Sequence, residues 1–311
     1  MISVLGAGVA GLCAATELAE RGHKLEVILP KDAPEPASRF AGGMLAPFCE
    51  GEAAPEEVVI AGQASIGWWQ RHASSFAQRG TLVLAAPRDR AELDRFARAT
   101  RAHDWVDPVT LEPELTGRFA RGLFYPGEAH MDPVQAMDEL RTGLLERGVA
   151  LHSGAPSGRI VDCRGLAARD RRPALRAVRG EMLEVLAPDI ALSRPVRLLH
   201  PRFPCYIVPR ADGRYMIGAT MVESDRTGPV TVRAAMELLS AAWTLHPGFA
   251  EAQIVMTGAG LRPAYPDNLP TVALQDDRIH LNGLYRHGFL MAPVLAVQLA
   301  AQFERDPTHA H

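Results

Sequence analysis

Cysteine is scarce and scattered. The 311-residue chain has four, at Cys13, Cys49, Cys163 and Cys205, with no C-x-x-C pair and no flanking histidine pattern. That spacing excludes a disulfide framework and a zinc or other metal site, and it fits free thiols in a reducing compartment. Long apolar runs are absent too, since none approaches the roughly 20 residues of a membrane span. The chain enters a strand-like run at its first residues, leaving no room for a signal core and cleavage site, so a soluble, cytoplasmic protein is expected. Neither charge sign dominates: 33 Lys+Arg against 36 Asp+Glu give a net charge of −3, with no electrostatic case for nucleic acid. Arg95, Arg98 and Arg101 read as a solvated helix face. No G-x-S-x-G, H-E-x-x-H or Cys–His nucleophile pattern occurs, and His309 and His311 form only a short tail. Repeats and low-complexity segments are also missing.

Present instead are two glycine-rich turns, each between an apolar strand-like run and an apolar helix-like run. In the first, Met1 to Leu5 reads as a buried strand, and Leu12, Ala15, Leu18 and Ala19 recur at helical spacing before Gly22. Between them stands Gly6-x-Gly8-x-x-Gly11. Gly6 permits the tight strand-to-helix turn, Gly8 lets a pyrophosphate approach the backbone, and Gly11 allows helix and strand to pack closely. The helix start, with Val9 and Ala10, offers N–H groups and a positive dipole end to phosphate. The second turn is Asn282-Gly283-Leu284-Tyr285-Arg286-His287-Gly288-Phe289, followed by an apolar helix that must be buried. One part of the fingerprint is missing. The acid that follows the second strand and accepts the ribose hydroxyls is replaced by Leu29 and Pro30. Either Asp32 supplies the carboxylate late, or another group holds the ribose.

Between these turns the pattern is mixed. Ala41-Gly42-Gly43-Met44-Leu45-Ala46-Pro47 suits close approach of backbone to a flat ligand. A helix is expected after Pro55, with Trp68 and Trp69 as core, then a strand at 81–86 and an amphipathic helix with Leu93, Phe96 and Ala97 inward. Asp132-Pro133 is an N-cap followed by proline at N1, and the stripe Val134, Met137, Leu140 and Leu144 ends at Gly148. Strands are expected at 149–152 and at 159–162, the latter turning at Gly165. Later strands are read at 179–185, 205–210 and 215–220, with an Asp212-Gly213 hairpin turn in the last pair.

Taken in order, Cys205-Tyr206-Ile207-Val208-Pro209-Arg210, Gly218-Ala219-Thr220-Met221, Gly260-Leu261-Arg262-Pro263 and Arg286-His287-Gly288-Phe289-Leu290-Met291-Ala292-Pro293 resemble the motifs of the glycine oxidases of thiamine biosynthesis. Those enzymes lie within the FAD-dependent D-amino acid oxidase and sarcosine oxidase group. The resemblance runs from Ile2 to about Gln302. It implies an α/β fold in which a discontinuous Rossmann-like FAD-binding domain (1–72, 130–180, 264–311) carries an inserted β-rich, α+β substrate domain (73–129, 181–263). It implies non-covalent FAD held by Gly6, Gly8, Val9, Ala10, Gly11, Gly42, Gly43, Met44, Gly165, Gly283, Arg286, His287, Gly288, Phe289 and Leu290. At the substrate, Arg262 would pair with a carboxylate, Tyr206 would donate to it, Met221 would border a small pocket, and Arg286 would lie nearby.

The implied chemistry is hydride transfer from the α-carbon of a small neutral amino acid to the flavin, giving an imine, with O2 reduced to peroxide. Thiazole synthase is the implied protein partner, and homo-oligomers are common in the group. The flavin carries the difficult step, so the protein mainly binds, orients and excludes water. Beside glycine, two other readings stand: an oxidase or dehydrogenase of sarcosine or a small D-amino acid, and a non-catalytic nucleotide-binding partner of thiazole synthase. The last is motivated by the missing acid at Leu29 and by the short segment from Val149 to Gly165, where the group inserts further strands. Tyr285 and His287 also depart from the better known members.

Overall fold

The strand Ile2–Leu5 is buried along its whole length because it lies at the centre of a six-stranded sheet. It pairs in parallel with Leu25–Ile28 on one side and Arg159–Asp162 on the other. Ala150–His152 extends the first flank, and Arg278–Asn282 with its antiparallel partner Thr271–Gln275 extends the second. This is a computed structural model, and it describes residues 1–31, 35–202 and 204–305. Asp32, His309 and His311 lie outside the described residues. The 3.6-residue stripes become the helices Val9–Glu20, Glu56–His72, Pro133–Glu146 and Gly288–Arg305. The Asp132 side chain caps its helix as expected, accepting from the Val134 and Gln135 amides.

The last helix is anchored where proline interrupts it. Pro293 has no N–H to donate to the carbonyl of Phe289, and the indole of the fully buried Trp69 supplies the missing donor at 2.7 Å. Ser65 Oγ donates to the Leu290 carbonyl at 2.6 Å. Gly62 allows this contact, because a Cβ there would come within 2.7 Å of the Leu290 side chain. The helix start that faces the cleft is therefore fixed from behind by Glu56–His72.

The short link from 153 to 158 crosses the end of the same sheet. Glu26, buried within it, gathers that link: its carboxylate accepts from Ser3 Oγ at 2.6 Å, the Ser157 amide at 2.7 Å and Ser157 Oγ at 2.9 Å, and lies 3.0 Å from His152 Nε2. Gly158 is required because a Cβ would stand 2.2 Å from the Met1 carbonyl oxygen.

A second, nine-stranded sheet carries the substrate side. Its pairs are antiparallel apart from Val196–Leu199 with Thr81–Ala85. Asp212 and Gly213, both at positive φ, close the expected hairpin. The strand Val196–Leu199, the helix Val232–Leu245 and most of the strand Gln253–Ala264 were not expected from the sequence. Gly258, Gly260 and Pro263 conceal the last of these, which survives because the glycines admit neighbours. A Cβ at Gly258 would lie 2.3 Å from the Phe40 ring, and one at Gly260 would lie 3.1 Å from Ala37 Cα. The two long strands Arg176–Leu186 and Gln253–Ala264 pair throughout, so they run across residues 180 and 263, where the sequence suggested domain limits.

Candidate active site

The two sheets meet at a cleft of ≈ 730 Å³ lined by both glycine turns, within the size range of cofactor and ligand sites. At one end the walls are backbone. Gly6 has φ +96°, and a Cβ there would lie 2.8 Å from the Cys163 carbonyl oxygen. Gly8 caps the helix Val9–Glu20, and Gly11 is buried where a Cβ would stand 1.9 Å from the Gly6 carbonyl oxygen. Gly6, Gly8, Val9, Ala10 and Gly165 line the cleft, whereas Gly11 lies behind them. One correction concerns the helix start: Ser38 Oγ accepts the Val9 amide at 3.1 Å, so that donor is already engaged.

Leu29, in the place of the ribose acid, is half-buried and donates its amide to the His152 carbonyl at 2.7 Å. Among the described residues that line the cleft with Leu29 and Pro30, the carboxylate nearest to them in sequence is Glu35, which pairs with Arg39 at 3.6 Å. Glu35 and Ser38 were not singled out from the sequence, because a lone Glu or Ser in a proline-rich loop has no periodicity to mark it.

At the other end the walls are side chains. Tyr206 projects from Cys205–Pro209, and its ring packs on Gly42, where a Cβ would approach to 2.7 Å. Gly43, at φ +70°, is needed where a Cβ would come within 2.1 Å of the Met131 carbonyl oxygen. Arg210, almost wholly buried, fixes this loop by donating to the carbonyls of Gly42 at 2.9 Å and Met131 at 3.1 Å. Met44 follows in a two-residue strand and also lines the cleft.

Arg262 comes from the long strand Gln253–Ala264. Its guanidinium lies over Gly180, where a Cβ would be 2.2 Å away, and donates to the Thr220 carbonyl at 3.0 Å. Burial pushes the Arg262 pKa down and the Tyr206 phenol up, the latter partly opposed by Arg262. Met221, 47% exposed, is held at the mouth, where its sulfur accepts from Tyr285 Oη at 3.1 Å.

Arg286 and His287 meet a residue that sequence reasoning missed. Glu50 Oε2 lies 2.6 Å from Arg286 Nη2 and 3.3 Å from His287 Nδ1. Burial works to raise the Glu50 carboxyl, but Arg286, His287 and Arg197 together hold it below its ordinary value. Glu50 in turn holds the Arg286 guanidinium up, and burial pushes His287 down. Glu50 ends the short helix Pro47–Glu50 and has no spacing signal of its own. Gly283 shapes the turn from behind, with a Cβ position 2.2 Å from the Tyr265 ring, while Gly288, Phe289 and Leu290 line the cleft.

The charges around the cleft are mostly matched. Arg141, Arg164, Arg179, Arg197 and Arg286 each have a carboxylate partner, in Asp138, Asp162, Glu181, Glu52 and Glu50. Arg262 is the one lining arginine without such a partner among the described residues. A glycine-lined backbone at one end and a guanidinium without a carboxylate partner at the other suit a dinucleotide cofactor and an anionic substrate. Among the described residues there is no cluster that could hold a metal ion and no helix long and apolar enough to cross a membrane.

Comparison with known proteins agrees with this geometry. A protein of Rhizobium etli, assigned to thiamine biosynthesis as the oxidoreductase ThiO, is 52% identical over 312 residues, covering 96% of this chain and 95% of that one. The bifunctional protein ThiO/ThiG of a Synechocystis species is 25% identical over 96% of this chain, which spans 51% of that longer protein. Glycine oxidase from Bacillus cereus has the same fold, with a TM-score of 0.84 at 21% identity, covering 97% of this chain and 94% of that one. The family of FAD-dependent oxidoreductases that includes the D-amino acid oxidases matches residues 1–302, and this chain belongs to it.

Proposed function

We propose that the protein is a glycine oxidase that converts glycine to its imine or glyoxylate, with O2 reduced to peroxide, for thiazole formation in thiamine biosynthesis. The observation that carries this reading is Arg262, unpaired with any carboxylate among the described residues and lining the same cleft as Tyr206. A planar guanidinium that stays charged matches a carboxylate bidentately. The Tyr206 hydroxyl, kept protonated by burial, adds a donor. The Tyr206 ring packs on the backbone of Gly42, which fixes the phenol in the wall of the cleft, where it would border a small substrate.

FAD supplies the two-electron acceptor and passes the electrons to O2. Its phosphates would lie on the Gly6 to Ala10 turn, and its ring between Gly42 to Met44 and the Arg286 to Leu290 turn. There the positive end of Gly288–Arg305 would favour negative charge. The names of the Rhizobium and Synechocystis relatives support a role in thiamine biosynthesis and thiazole synthase as partner. Four buried, unlinked thiols support a cytoplasmic setting. The division into an FAD domain (1–72, 130–180, 264–311) and a substrate domain (73–129, 181–263) is part of this proposal; it would put the six-stranded sheet in the first domain and the nine-stranded sheet in the second, except that Arg176–Leu186 and Gln253–Ala264 of the latter cross the limits at 180 and 263. Peroxide release under air with glycine, sarcosine and D-alanine tests the proposal. The highest kcat/KM is expected for glycine, and D-alanine turned over far better than glycine would overturn it.

A further inference from the structure

Arg262 and Arg286 both face the substrate end of the cleft, but they are not equivalent. Arg262 donates to a backbone carbonyl and has no carboxylate partner among the described residues, whereas Arg286 is engaged by Glu50 at 2.6 Å. The neighbouring Arg197 is already matched by Glu52 at 2.8 Å, and His287 sits buried against Glu50. Among these arginines Arg262 is therefore the one without a carboxylate partner.

We propose that Glu50 is a specificity-determining residue: by neutralising Arg286 it limits the cleft to one substrate carboxylate and rejects dicarboxylic amines. This rests on the reading of the site as an amino acid oxidase. A dicarboxylate entering the wild-type site would bring its second anion toward Glu50, where like charges in a partly desolvated space repel. Losing the Glu50 charge frees the Arg286 guanidinium, which then matches a second carboxylate. Iminodiacetate, which is glycine with a second carboxymethyl group on nitrogen, is the natural probe of turnover, and malonate against acetate is the probe of binding.

The test uses the FAD-loaded protein as wild type, Glu50→Gln and Glu50→Asp. Dissociation constants for acetate and malonate are read from perturbation of the flavin spectrum, and kcat/KM is measured for glycine and iminodiacetate. Glu50→Gln is expected to raise the preference for malonate over acetate, and for iminodiacetate over glycine, about tenfold or more. Glu50→Asp, which keeps the charge, stays near the wild-type ratios. Unchanged ratios in flavin-loaded Glu50→Gln, or an equal shift in Glu50→Asp, overturn the proposal. Should Glu50→Gln fail to retain FAD, Arg286→Gln is the second variant. It leaves Glu50 unmatched and is expected to weaken malonate more than acetate, and an unchanged ratio overturns the proposal. The acetate and malonate constants need only a bound flavin, so they remain readable if wild type ignores glycine. That outcome would sink the glycine reading and leave the role of Glu50 separately decided.

Discussion

The two ends of the cleft are made from different materials. At the nucleotide end the working surface is backbone, and the residues that matter are glycines whose missing Cβ atoms let chain segments touch: Gly6 against Cys163 and Gly11 against Gly6. At the substrate end the working surface is side chains delivered from separate strands and turns, and charge matching decides which of them remain available. Arg286, Arg197 and Arg179 are spoken for by Glu50, Glu52 and Glu181, which leaves Arg262. A backbone surface can be damaged by adding one carbon. A side-chain surface is damaged by removing or re-pairing one charge.

The largest expected effect tests the substrate end alone. Arg262→Ala should lower kcat/KM for glycine about 10²–10³-fold with flavin content unchanged, measured by steady-state turnover of protein whose absorbance is matched. Loss of flavin in that variant would show that the two ends are not separable as described. Next in size is the mirror experiment. Gly11→Ala forces a carbon into the 1.9 Å gap at the Gly6 carbonyl and should destabilise the fold by about 2–3 kcal/mol while releasing FAD, read by denaturant unfolding and by the spectrum.

A smaller effect is expected where the last helix is anchored to the helix Glu56–His72. Trp69→Phe removes the donor to the Phe289 carbonyl, which Pro293 leaves without a helical partner, and should cost about 1–2 kcal/mol in unfolding free energy.

The remaining effects separate the two regions by pH. Hydrogen bonds from Ser3 and Ser157 hold the Glu26 carboxyl down to about 2. Its contribution is complete above the ordinary carboxylate value near 4.5 and is lost as pH falls from there toward 2. On the substrate side, burial raises Glu128 to about 7. The folded chain keeps that proton longer than the unfolded one, so this contribution is complete below about 4.5 and is lost as pH rises through about 7. Stability profiles of Glu26→Gln and Glu128→Gln should therefore diverge from wild type in opposite pH windows. Profiles parallel to wild type in both would contradict these environments.

The same contrast explains what the sequence made legible. The Gly6, Gly8 and Gly11 turn, the Asp132 cap, the Asp212-Gly213 hairpin and the apolar helices are local patterns, fixed by backbone geometry or by a period of 3.6 residues, and each was visible. Asp132 and Gly22 marked real helix ends. Glu50 was not visible, since its partners Arg286 and His287 are far away in sequence and nothing local distinguishes it from a surface glutamate. The strand Gln253–Ala264 was hidden by its own glycines, which are there to admit Phe40 and Ala37. Arg262 and Tyr206 were legible only through resemblance to a family, because no spacing rule brings residue 206 beside residue 262. Ser38 and Glu35 lay in a proline-rich stretch that gives no period at all.

The central claim is that Arg262, Tyr206 and the glycine-lined cleft hold glycine against a bound flavin. Anaerobic addition of glycine to the purified protein, followed by its visible spectrum, tests this most directly. The account predicts a bound oxidised flavin that bleaches on addition of glycine. A flavin that stays oxidised with glycine yet bleaches with another small amine, or a protein that takes up no FAD, would contradict it.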